Sequence, residues 1–506
     1  MFSAFKKFGR MGGGSSIPWT PTKLFAAGEK GGLWDFSTLA NLYQNSAGTT
    51  PCTAVGDPIG LVLDTKNGTP QLGSELVTNG DFSNGTTGWT LEAYTTAGTP
   101  AGGKVRFSGT APNTNFNSIA YQVLSVVAGR AYRIDVPQTI VAGNVAVGFY
   151  ASGVSGLNIG GSNGATPCIV VATSTTLCIT LYAWNGASTN VPFDVTFGPV
   201  TAKEIPGNHL TQSTSTKRPT LGRTPATGVR NLLVNTATLS TQNVNTSAGS
   251  YTIQFTGAGS VTASGTYSGA LTNGQTFTCT AGTLTLTVSG SVTNAQLEAG
   301  STATAKQVVG AAYDVTESGV ASVYTAYFDG VDDCLVSPSI DFTATDKMTV
   351  WAGCRATATN VAVLCELGVH LTQTGTFTFQ RPRALDAIPG AKFQIYSTPP
   401  DKYSSLYTVQ ATGTDEVYTL AANKALSTNE VTMRLNGASV GAADFNDDVA
   451  GTFGNYPIYV GQRNASSYPY EGFLSALCTR GAATDAALVT SMEKWLAART
   501  PGVTLP

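Results

Sequence analysis

Charge is what this sequence has least of. Only 11% of its 506 residues are charged, against about 25% in an ordinary soluble domain. The net charge is −2. No global positive field is available to hold a phosphate backbone, which excludes nucleic acid as an expected partner. Too little Lys and Glu is present for a long coiled coil. Charge-driven disorder is excluded as well, because 42% of the residues are hydrophobic and the net charge is small. Histidine is scarcer still, with His209 and His370 alone. No apolar run approaches the roughly 18 residues of a membrane span, so no membrane insertion is expected.

The eight cysteines include no CxxC pair, which leaves a zinc site or a thioredoxin-type motif without support. Cys168 and Cys178 flank the turn-like TSTT in what reads as a hairpin. A disulfide between them is one expectation; free buried thiols are the other. HExxH is absent, and no Asp/Glu pair falls in a recognisable catalytic motif. The expectation is a protein that is not an enzyme and carries no organic cofactor.

What fills the space left by charge is glycine, at 57 residues, and threonine, which outnumbers it. Residues 1–20 carry Lys6, Lys7 and Arg10 but are followed by Gly12–Gly13–Gly14 rather than an apolar core. They read as a flexible basic arm and not as a secretory signal. Residues 21–70 read as an extended leader of turns and short strands. Residues 71–204 hold seven or eight short runs rich in Val, Ile, Tyr and Phe, the pattern of a β-sandwich. Residues 205–230 read as a linker. Residues 231–301 form a second, smaller sandwich. There Leu284, Leu286 and Val288 alternate with Thr283, Thr285 and Thr287. Residues 302–506 form the largest unit. It closes on one amphipathic helix with Leu488, Met492, Trp495 and Leu496 on a face and Thr484 as N-cap. The fold class is therefore all-β: three β-sandwich (jelly-roll) domains in series with one C-terminal amphipathic helix.

Several stretches resemble known families. Asn79, Gly80, Phe82, Gly88 and Trp89 match the opening Asn-Gly-x-Phe and Gly-x-Trp of carbohydrate-binding modules of the family 4/9/22 type, which are jelly rolls. AYFDGVDDCLVS with TVWAGCR, and EGFLSALCTR with the helix after it, resemble the opening and close of concanavalin A-like or laminin-G-like domains. GNHLTQ followed by Arg218–Pro219 resembles a connector of tailed-bacteriophage virion proteins, and the stretch that opens GGLWDFS resembles a leader of the same proteins. The combination resembles a phage fibre, spike or appendage protein. That resemblance implies a place on the exterior of the virion. It also implies attachment to other virion structural proteins through the N-terminal segment, with residues 21–70 as the virion attachment segment, a homotrimer, and binding of host-surface glycans.

Aromatic rings on a sandwich face can stack on sugars, which singles out Trp89, Tyr121, Tyr150, Tyr182 and Trp184. The loop-like QRNASSYPYEG adds Arg463, Tyr468 and Tyr470. Asp329, Asp332 and Asp333 sit in one turn and offer hard oxygen ligands for a structural calcium; the alternative is a turn held by Asp side chains. A purely architectural decoration or collar protein, and a polysaccharide depolymerase, stand as the other functional readings.

Overall fold

The computed structural model describes the chain except residues 1–18, 47, 49, 69–71, 113–116, 155–157, 163–166, 184–189, 371–372, 386–387, 398–401 and 441–448. The described chain is all-β, with one α-helix among those residues, Ala486–Ala497. Residues 1–18 of the basic arm, and Trp184, lie outside the described residues.

The largest sandwich packs an eight-stranded sheet on a nine-stranded one. Both sheets recruit strands from far upstream. Strand Gly31–Asp35 pairs antiparallel with Glu471–Arg480, running from Gly31 opposite Arg480 to Asp35 opposite Ala476. Leu42–Tyr43 and Leu61–Val62 pair with each other, and Leu61–Val62 with Leu210–Thr211, in the nine-stranded sheet. Thr220–Pro225 pairs with Ser322–Asp329 in the eight-stranded one. The segments expected as leader and linker are thus strands of the third sandwich. Their apolar residues explain why: Trp34, Phe36, Leu42, Ile59, Val62, Leu210 and Leu221 are buried in the same core as Phe328, Phe379 and Leu474. Leaving those side chains in water forfeits roughly 1.5–3 kcal/mol each.

Two smaller sandwiches are inserted in this large one. The first, from residue 72 to 205, faces a five-stranded sheet against a three-stranded and a four-stranded sheet. Its core includes Phe82, Trp89, Phe107 and Phe197. The second occupies residues 229–301, a four-stranded sheet on a three-stranded one. Leu284 and Leu286 are fully buried there, while Thr283 and Thr287 face water, so the period-two alternation is realised.

The first insertion leaves and re-enters the large sandwich at one clasp. Asp64 accepts from the amides of Leu33, Lys66 and Asn208. Its own amide donates to Nδ1 of His209 at 2.9 Å. The Trp34 indole donates to the Asn208 carbonyl at 2.8 Å. The ends of the insertion are therefore adjacent, although they are 145 residues apart in sequence.

The helix packs Met492 and Leu496 against Leu24, Leu33 and Trp351 on the outside of the eight-stranded sheet. Its N-cap is Asp485, whose carboxylate accepts from the Leu488 amide at 2.9 Å. The expected cap, Thr484, instead bonds Thr349 and Arg480 in the preceding turn. Among the described residues no helix is long and apolar enough to cross a membrane.

Candidate functional site

Three tyrosines of the first sandwich, Tyr121, Tyr150 and Tyr182, gather on the outward face of its five-stranded sheet. In the pairing of Val145–Tyr150 with Thr176–Ala183, Tyr182 stands opposite Ala146, Thr180 opposite Gly148 and Cys178 opposite Tyr150. Thr180 is also opposite Tyr121 on the next strand, and Cys178 opposite Val123. Side chains alternate across a strand, so all of these share one face. Leu177, Ile179 and Leu181 point the other way, into the core.

Gly148 makes room for two rings. A Cβ there would meet the Tyr150 ring at 2.7 Å and the Tyr182 ring at 3.1 Å. Tyr150 is half-buried, Tyr182 is 9% exposed and Val123 is 45% exposed. Burial holds both phenols above their ordinary pKa, so they stay neutral and can donate and accept. The face offers the half-buried Tyr150 ring and exposed Val123, with no formal charge among the residues named here; Thr180 is buried beneath them, its hydroxyl bonded to Ser118 and the Leu181 carbonyl.

Other expected site residues are placed differently. Trp89 is 7% exposed and wedged between Phe82 and Phe197, at 5.5 and 5.4 Å. It anchors the core because the left-handed turn at Asn79 and Phe82 folds the motif back on itself. Cys168 and Cys178 do not oppose one another. Cys168–Val171 pairs with Ala131–Asp135, whereas Thr176–Ala183 lies in the five-stranded sheet, so the turn between them crosses from one sheet to the other. Both thiols are free and buried. Burial pushes them up to about 12 and about 11, which keeps them protonated and unreactive.

In the large sandwich the acidic turn and the QRNASSYPYEG loop come together. The Gln462 side chain donates to the Val331 carbonyl at 3.3 Å, and the Gly330 amide to the Tyr470 carbonyl at 3.1 Å. Tyr470 is core: it is 1% exposed, packs on Phe328 and donates its hydroxyl to the Phe473 carbonyl. Arg463 is buried and paired with Glu366 at 2.9 Å. Its guanidinium carries the ring of Tyr468, at 4.7 Å, and Tyr468 is 43% exposed. Of the three expected ligands on this loop, the surface presents Tyr468.

Asp329, Asp332 and Asp333 bring carboxylate oxygens within 4.8 Å of one another, the one such acidic or metal-ligating group among the described residues. Hard oxygens at that spacing suit calcium. Part of their capacity is spent on the turn: Asp333 accepts from the Asp329 amide and Asp329 from the Val331 amide. Burial, then the neighbouring carboxylates, push Asp333 up to about 7. Three clustered acids with no cationic side chain paired to them among the described residues fit a divalent ion by charge. The shared turn bonds explain the spacing without one.

Sequence reasoning missed the clasp around His209 and the part Gly148 plays beneath the tyrosines. Neither His209 in GNH nor Gly148 in VGFY sits in a local pattern that announces its partner.

No family model matches the chain, and no curated protein matches it. Similar solved structures include the CBM40 of Ruminococcus gnavus IT-sialidase bound to α2,3-sialyllactose. It is 14% identical and covers 29% of this chain and 83% of that one, at a TM-score of 0.23. The native heptameric SAP-like pentraxin of Limulus polyphemus is 13% identical over 34% of this chain and 80% of that one, at 0.25. The binding domain of botulinum neurotoxin serotype G is 9% identical over 36% of this chain and 44% of that one, at 0.27. Likenesses this faint assign no role to any residue here. The chain is an all-β protein in which two small sandwiches grow out of a large one.

Proposed function

We propose that this chain is a structural protein on the exterior of a tailed-phage virion that binds host-surface glycans without cleaving them. The observation that carries the glycan reading is the convergence of Tyr150 and Tyr182 over Gly148, with exposed Val123 beside them. Rings supply apolar faces for sugar C–H groups, and neutral hydroxyls supply hydrogen bonds. The motif resemblances to phage fibre and appendage proteins support the virion setting. Attachment is through the N-terminal segment, and several copies, a trimer by that resemblance, raise weak single-site affinity through multivalency. The acidic turn holds a structural calcium in this reading.

A glycan array probed with the purified chain, alongside its Y150A and G148A variants, tests it. Wild type binds at least one bacterial surface glycan. Y150A lowers that signal tenfold or more, and G148A does so by displacing the Tyr150 ring. No binding to any glycan returns the chain to a purely architectural role. New reducing ends from host polysaccharide would establish a depolymerase instead.

A further inference from the structure

The second sandwich does not lie flush against the large one. Between them is a cleft of about 600 Å³. Tyr327 and Arg355 both stand opposite Phe473 in register, so the three side chains share the outer face of the eight-stranded sheet. Glu471 lies on that face two residues before Phe473. Asn243 and Asn245 of the small sandwich line the opposite wall, and both are exposed.

Arg355 is 7% exposed, and its Nε and Nη1 have no hydrogen-bond partner. No carboxylate among the described residues pairs with it. Glu471 accepts instead from the Thr357 hydroxyl at 3.2 Å. Asp415 acts on Arg355 only from beyond ion-pair distance, and burial pushes that carboxyl up to about 7. The other buried arginines are all matched: Arg381 with Glu416, Arg463 with Glu366 and Arg480 with Glu29. A guanidinium buried without its anion is an incomplete pair, and its planar fork is shaped for a carboxylate.

We propose that this cleft binds a carboxylated sugar, such as a uronic acid unit of a polysaccharide. The sugar carboxylate pairs with Arg355. The ring lies against Tyr327 and Phe473, whose centroids are 5.2 Å apart. Its hydroxyls donate to Glu471 and exchange hydrogen bonds with Asn243 and Asn245. The site is separate from the tyrosine face of the first sandwich and does not depend on it.

Calorimetric titration of the full chain with trigalacturonate, and with its methyl ester as the uncharged control, tests the proposal. The acid binds at least tenfold more tightly than the ester. R355Q removes that preference, while Y150A leaves it unchanged. N245D is a change at an exposed position that leaves the fold intact. It places a like charge across the cleft and weakens the acid several-fold without affecting the ester. Equal binding of acid and ester, binding of neither, or a preference that survives both R355Q and N245D would overturn the assignment.

Discussion

His209 shows how much one residue in a low-charge chain can carry. Its Nδ1 accepts from the Asp64 amide, so the proton resides on Nε2, which donates to the Ile205 carbonyl at 2.9 Å. Burial lowers its pKa below the ordinary histidine value; Asp64 and Glu204 oppose that shift and Lys66 adds to it. With the folded pKa depressed, the unfolded chain binds the proton more readily. The stability this ring contributes is complete above pH 6.5, its unfolded pKa, and falls as pH drops from there toward the folded value. Asp333, Glu366 and Asp415, all raised to about 7, run the opposite way and gain as pH falls. The His209 share is isolated by comparison with H209Q. Urea denaturation at pH 7 and pH 5 shows wild type above H209Q at pH 7 and the gap narrowing at pH 5; a gap independent of pH would refute the neutral-ring assignment.

The acidic turn makes a second test at this scale. If Asp329, Asp332 and Asp333 hold calcium, saturating CaCl2 raises the thermal midpoint, by the equivalent of about 2.7 kcal/mol at a hundredfold excess over Kd. D333N abolishes the rise. A wild-type midpoint indifferent to calcium leaves the turn to its own amide bonds.

At the scale of elements, capping and pairing decide what local pattern leaves open. The helix was legible from its apolar spacing, but the cap lay one residue beyond the expected one. Thr484 is drawn to Thr349 and Arg480, and Asp485 takes the amide of Leu488. D485A therefore costs about 0.5–2 kcal/mol, read from chemical denaturation. The segment GGLWDFS looked like a leader because its apolar run is short and bounded by turns. In the fold it gains a partner 440 or more residues away, Glu471–Arg480, and a core for Trp34 and Phe36. Short strands are not stable alone, and no local signal names their neighbour. The cysteine pair failed for a similar reason. The spacing of Cys168 and Cys178 suits a hairpin, but the chain uses that turn to change sheets.

For the whole molecule, nesting makes the domains unequal. Residues 64 and 209 touch, so the first sandwich can be removed without separating the strands on either side of it. Replacing residues 72–204 with a short Gly/Ser loop leaves the large sandwich folded, with a cooperative thermal transition close to that of the parent. Deleting residues 19–68 removes one strand from the eight-stranded sheet and two from the nine-stranded one, and takes Trp34, Phe36, Leu42, Ile59 and Val62 from the core. That truncation does not fold to a cooperative state. Circular dichroism melts of both chains decide the matter; a well-folded 69–506 fragment would restore the leader as an independent segment.

Composition and periodicity alone determined the all-β class, the alternating strands of the second sandwich and the amphipathic face of the helix. These depend on contacts close in sequence, where period two and period 3.6 register directly. Only the tertiary structure decided which residues are ends and which are middle. It buried Trp89 and Tyr470, split Cys168 and Cys178 between two sheets, set two tyrosines over Gly148, and left Arg355 with no carboxylate at ion-pair distance among the described residues. Each of those outcomes depends on which distant strand comes alongside. Pairing is selected by the total apolar area that the whole chain buries, a quantity that no window of sequence contains.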